Sequence, residues 1–254
     1  MTTEGVLVSF DVDGTLVRSV GENANKLHKE AFATAFSRVF SIDTTIDVIP
    51  HHGSTDPLIL LKVLEYHGID ATHATEKLPD MQAAMIDYFI EHKCRAAIGL
   101  EVLPGVEKLL EELQSMDHVH VGLCTGNLEP IAWAKMDALG LKDMFTTPHF
   151  GGFGSDYCSG SLVSTDSWKD RAELVRIAYS RGLNQSNGIQ RRFHVGDAPM
   201  DVMAAKHAGS HALGLLTGIF SRDDLSTANP EAIILEDLCD TEKVLDILLG
   251  RESS

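Results

Sequence analysis

Five short apolar runs, several of them alternating with segments of helical periodicity, limit what this chain can fold into. The runs are Val6–Phe10, Val119–Cys124, Phe193–Val195, Ala212–Leu216 and Ile233–Leu235. The first stops at an acidic, glycine-containing turn, as a buried parallel strand does at its C-terminal end. Helical patterns precede the second run (Val106–Gln114), follow it (Ile131–Leu139) and precede the third (Ala172–Arg181). Strand–helix alternation of this kind predicts an α/β core, a Rossmann-like doubly wound parallel sheet with helices on both faces.

The segment after the first run breaks that alternation. From about Val20 to Arg95 the periodicity is helical, with apolar faces at Ala31/Ala35/Phe36/Val39, at Leu58/Leu61/Val63/Leu64 and at Met81/Met85/Phe89. Gly53, Pro57, Gly68 and Pro79 are expected to punctuate these helices. An α-helical domain over residues 20–102 is therefore predicted to interrupt a core made of residues 1–19 and 103–254, with Leu103–Val106 as the return linker. Gly151–Asp156 reads as the most flexible loop, and Gly250–Ser254 as a fraying end.

Composition narrows the partners. A formal net charge of −16 argues against nucleic acid or an anionic membrane, which require a basic face. A small anionic substrate stays open, because a metal ion and one or two cations reverse the potential locally. The four cysteines are scattered, with no C-x-x-C pair, which suggests reduced thiols in a cytoplasmic protein. No secretory signal is expected, and no stretch of ~18 apolar residues suggests a membrane span. The oligomeric state is left as monomer or homodimer.

The chemistry concentrates at the ends of the apolar runs. Asp11-Val12-Asp13-Gly14-Thr15 follows the first, and ligands of open parallel sheets bind beyond the C-terminal strand ends. A carboxylate attacking phosphorus needs a metal to neutralise charge and a second carboxyl group to protonate the leaving oxygen. The second run ends in Thr125-Gly126-Asn127, whose hydroxyl and exposed amides suit phosphate oxygens. The third leads into Gly196-Asp197-Ala198-Pro199-Met200-Asp201, two carboxylates four residues apart that suit Mg²⁺ directly or through water. Lys169 and Arg171 stand where a new helix begins, and either could neutralise a phosphoryl group.

Together these four segments resemble the haloacid dehalogenase superfamily: D-x-D-G-T, a strand ending in Ser/Thr, a Lys/Arg, and G-D-x-x-x-D. The order and spacing match across essentially the whole chain, and the inserted helices resemble that superfamily's cap. Phosphoglycolate-phosphatase-like and β-phosphoglucomutase-like members look most similar, through Gly53-Ser54-Thr55-Asp56-Pro57 and through Ala205–Gly209 leading to Gly214–Gly218. The resemblance implies Asp11 as nucleophile and metal ligand, and Asp13 as acid/base with its main-chain carbonyl on the metal. It implies Gly14, Thr125, Gly126 and Asn127 around the phosphoryl group, Asp197 and Asp201 at the Mg²⁺ site, and Ser54 and Thr55 facing substrate from the cap. Those cap residues equally suit a helix-capping turn. The superfamily's usual Lys-Pro pattern at the third motif is missing; keeping the helix face in phase favours Lys169, while Arg171 could do the same work.

The acid at Asp13 favours phosphate-ester chemistry, since the resemblance implies that dehalogenases lack it and phosphonatases carry a small residue there. Hydrolysis of a small phosphorylated metabolite through an aspartyl-phosphate is the first expectation. Phosphotransfer within a sugar phosphate, as in a mutase, uses the same residues. A non-catalytic phosphometabolite-binding protein should have lost an acid, yet Asp11, Asp13, Asp197 and Asp201 are all present. His28 and His194 read as structural, and Trp133 and Trp168 as packing residues.

Overall fold

The computed structural model describes residues 4–186 and 188–251; residues 252–254 of the expected fray lie outside them. Its centre is a six-stranded, all-parallel sheet in the order β5-β4-β1-β6-β7-β8. These strands are β1 (Gly5–Phe10), β4 (Val119–Thr125), β5 (Gly151–Phe153), β6 (Ile189–Gly196), β7 (His211–Leu215) and β8 (Ile233–Leu235), while β2 (Val17–Ser19) and β3 (Leu100–Val102) pair separately. The core helices are α4 (Val106–Gln114), α5 (Glu129–Ala138), α6 (Ser167–Leu183), α7 (Pro199–Ala208), α8 (Arg222–Ala228) and α9 (Thr241–Leu249).

Every residue of β1 and β4 is buried, as strands covered on both faces must be. Leu109, Leu110 and Leu113 of α4 share one apolar cluster with Met136 of α5, Val244 and Leu248 of α9, and the strands. Leu174, Val175 and Ala178 of α6 form another with Ala204 and Ala208 of α7. The α/β fold is thus as its residue pattern predicts.

β2 and β3 run antiparallel, pairing Val17 with Val102 and Ser19 with Leu100, so the chain leaves the sheet region and returns side by side. Between them lie α1 (Lys26–Phe40), α2 (Asp56–Tyr66) and α3 (Ala71–Glu91). Leu27, Phe32 and Phe36 of α1 bury against Ile59 and Leu60 of α2 and Met81, Met85 and Phe89 of α3. Leu128 and Ile131, at the start of α5, belong to the same cluster, so the helical segment shares apolar surface with the core.

Two local expectations fail. Pro79 does not end a helix; α3 runs through it, at the loss of one main-chain donor set against the burial of Leu78, Met81 and Met85. Gly151–Phe153 is an edge strand and not a free loop: Leu123 pairs with Gly151 and Thr125 with Phe153. Two glycines hide its β character, but the Gly152 backbone lies so close to the Leu174 carbonyl that a side chain there would overlap it. Among the described residues no helix is long and apolar enough to cross a membrane.

Candidate active site

The C-terminal ends of β1, β4, β6 and β7 open into one pocket of about 580 Å³ whose other wall is the helical segment. Asp11, Asp13, Gly14, Ser54, Thr125, Gly126, Asn127, Arg171, Asp197 and Asp201 all line it, although they come from distant stretches of sequence. Thr55 does not: it is fully buried beneath the wall.

The turn after β1 is built around Gly14. Its φ of 93° is a left-handed conformation that costs glycine little, and a Cβ there would overlap the Asp197 carboxylate. Thr15 donates to Asp197 Oδ1 at 3.3 Å, and the Thr217 hydroxyl to the Gly14 carbonyl. Three strand ends are thereby pinned together. Asp201 accepts from the Ala198 main-chain N–H at 3.0 Å, which fixes the first turn of α7.

One oxygen from each of Asp11, Asp197 and Asp201 fits within a 4.8 Å span. Arg171, itself buried, reaches Asp11 at 3.0 Å and Asp201 at 2.7 Å. Burial pushes the Asp11 carboxyl up, Arg171 opposes it, and Asp201 and Asp13 add to the rise, leaving it at about 6. Asp197 is raised well above the carboxylate range by burial and by repulsion from Asp201 and Asp11. For Asp201, burial is outweighed by Arg171 and His194, and its carboxyl stays below the usual value.

Of the two cations considered for this position, Lys169 is corrected. Its ammonium is exposed and pairs with Asp166 at 2.8 Å. Residues two apart on a helix point to opposite sides, so burying Arg171 against Asp11 turns Lys169 to solvent.

Asp13 has a partner that its sequence neighbourhood did not suggest. Lys135 of α5, 0% exposed, donates to both carboxylate oxygens at 3.0 and 2.8 Å. Asn127 Nδ2 donates to Asp13 Oδ2 at 2.9 Å. Burial raises the Asp13 carboxyl, but Lys135, His28 and these hydrogen bonds outweigh it and hold it below the usual range. A signal for Lys135 existed: it lies four residues from Ile131 and one before Met136, on a face that is otherwise apolar, and a lysine is fully buried there only when paired. We expect Lys135→Met to cut turnover about tenfold to a hundredfold. Losing the cation raises the Asp13 carboxyl, so the basic limb of the kcat/KM–pH profile, which reports the protonated acid, should move to higher pH.

The cap turn joins the site through Asp56. Its carboxylate meets His28 Nε2 at 3.0 Å and accepts from Leu128 N at 3.0 Å, while its own N–H donates to the Gly126 carbonyl at 2.8 Å. His28 is thus buried and paired, and the turn also starts α2. His194 is a core residue whose Nδ1 bonds with Ser9 Oγ at 3.2 Å. Trp133 packs on Phe145 and His149, and Trp168 on His207.

Residues 7–209 match the family model of haloacid dehalogenase-like hydrolases. A curated phosphoglycolate phosphatase from Rhodospirillum rubrum is 25% identical over 226 residues, covering 89% of this chain and 85% of its own. Another, from Pseudomonas savastanoi pv. phaseolicola, is 26% identical and covers 91% of this chain and 76% of its own. Among solved structures, CbbY from Rhodobacter sphaeroides in complex with phosphate superposes with a TM-score of 0.62 at 18% identity, over 93% of this chain and 96% of that one, a likeness of fold.

Proposed function

Because the chain belongs to the haloacid dehalogenase-like hydrolase family, we propose that it is a Mg²⁺-dependent phosphatase that cleaves a small phosphomonoester through an aspartyl-phosphate on Asp11. The observation that carries this is the placement of four carboxylates and the buried Arg171 in one pocket at the strand ends, with the buried Lys135 paired to Asp13 from behind it. The names of the curated relatives support phosphate monoesters as the substrate class.

The residues fit a divalent ion. Asp11, Asp13, Asp197 and Asp201 face Arg171 and Lys135, an excess of negative charge in a buried space, and Asp11 and Asp197 are raised by burial and then by repulsion from neighbouring acids. Asp11, Asp197 and Asp201, with the Asp13 main-chain carbonyl, would hold Mg²⁺, which supplies the charge neutralisation that lets two anions meet.

The protein's own groups carry the rest. Arg171 orients Asp11 for in-line attack on phosphorus and balances charge on the transferring group. The alcohol oxygen leaves with a proton from Asp13, whose carboxyl rises when a phosphate dianion arrives beside it. Lys135 and Asn127 keep the resulting carboxylate aimed into the pocket. That carboxylate then takes a proton from the water that attacks the phosphorus of the acyl phosphate, releasing inorganic phosphate and restoring Asp11. Thr125 Oγ1 and the Gly126 region bound the phosphoryl side, and the helical segment keeps bulk water out.

The test is phosphate release from a panel of phosphomonoesters with Mg²⁺. Chelation should abolish it and Mg²⁺ should restore it, and Mg²⁺ alone should raise the melting temperature by binding the folded state. Chelator-insensitive turnover would remove the metal from the mechanism.

A further inference from the structure

Resting on the phosphatase reading, the shape and charge of the pocket say more about the alcohol that leaves. Its volume of about 580 Å³ lies in the range that encloses drug-sized ligands, and a two-carbon acid would leave most of it to water. Phe32, Ile46, Ile59 and His52 line it from the helical segment, and Ile219 and Phe220 from the loop after β7. Two of these are rings held in place: His28 stacks on Phe32 at 5.1 Å, and His51 on His52 at 4.8 Å.

Charge points the same way. Among the described residues three lining side chains are Arg or Lys, and each already faces a carboxylate: Arg18 meets Glu101 at 2.8 Å, Lys29 meets Asp47 at 3.0 Å, and Arg171 meets Asp11 at 3.0 Å. His28 is likewise taken by Asp56. Burial and the neighbouring His51 hold the His52 imidazole below its usual value, which favours the uncharged ring. A carboxylate on the leaving group would find no unpaired cation here, and it would face Asp13 and Asp47. An uncharged ring, by contrast, would gain apolar and stacking contact.

We propose that the substrate is a phosphomonoester whose alcohol carries an uncharged planar or apolar ring, accepted by the wall of Phe32, Ile46, Ile59, His52 and Phe220. A carboxylate-bearing alcohol such as that of the curated relatives' named substrate is disfavoured.

Benzyl phosphate and 2-phosphoglycolate are suitable probes, since both release an alkoxide. With Mg²⁺ the kcat/KM for benzyl phosphate should exceed that for 2-phosphoglycolate at least about tenfold. Both His52→Ala and Phe220→Ala should reduce that ratio severalfold while the melting temperature stays near wild type. Equal or better use of 2-phosphoglycolate overturns the assignment, as does a ratio that neither variant moves. Binding is read separately, by titration calorimetry on Asp11→Asn. Tighter binding of benzyl phosphate there, without phosphate release by the wild type, supports the pocket assignment and overturns the phosphatase reading instead.

Discussion

Replacing Asp11 by Asn is expected to abolish phosphate release, by at least about 10⁴-fold, because the nucleophile is lost while shape and neighbours are kept. The same change should stabilise the fold. The Asp11 carboxyl rises from its ordinary 3.8 to about 6 in the folded protein. A group whose folded value is raised stabilises the fold below its unfolded value, and that contribution is lost as pH rises through the folded one. Above about pH 6 the ionised, buried Asp11 is therefore a cost that Asn does not carry. The variant should be more stable there by roughly 1–3 kcal/mol, at about 1.4 kcal/mol per unit. The difference should shrink as pH falls towards 4, and added Mg²⁺ should shrink it at neutral pH by stabilising the wild type. Melting curves at pH 4.5 and 8 check the sign. A variant that keeps wild-type turnover with Mg²⁺ would end the aspartyl-phosphate mechanism.

Arg171→Ala carries the second large effect. It strips Asp11 and Asp201 of their cation inside the protein, where removing one partner of a buried pair costs about 3–5 kcal/mol. Turnover should fall by about 10³-fold, since an arginine balancing charge on a transferring phosphoryl group contributes on that scale. Lys169→Ala is the control: its exposed pair with Asp166 contributes under ~1 kcal/mol, and activity should be unchanged. Arg171→Lys should recover part of the stability but less of the rate, because one ammonium replaces a planar fork. Loss of activity in Lys169→Ala, with Arg171→Ala active, would reverse the assignment.

The contrast between those two residues marks how far the sequence could be read. Strands β1, β4, β6, β7 and β8 and helices α4, α5 and α6 were legible because burial imposes period and composition, and Asp11, Thr125 and Asp197 were legible because each stands at the end of such a strand. Which cation enters the site was not, since it depends on the rotation of α6 about its axis, set by Leu174, Val175 and Ala178 packing beneath the sheet. Lys135 enters the site from a helix face and not from a strand end, and its one trace in the sequence is a charge among Ile131, Ala132 and Met136. The glycine-rich β5 gave a loop's composition because a side chain at Gly151 would meet the Leu123 carbonyl of β4 and one at Gly152 the Leu174 carbonyl of α6. That Asp56 and His28 meet at 3.0 Å is a property of how α1 and α2 pack, which neither stretch of sequence carries alone.

The position of β1 in the sheet also bears on how the molecule is made. The first strand of the chain ends at the centre, with Val6 beside Val119 on one side and Arg191 on the other. During synthesis it has no neighbour until β4 emerges, and both of its flanks are closed only after β6. Helices α1 to α3, whose contacts are local, can condense long before that. Asp11 is therefore translated well before the other acids of the pocket it lines, and a chain cut short before β6 would carry Asp11 without Asp197 or Asp201. Silence of every such fragment, with activity arising abruptly once the whole sheet closes, is built into the strand order.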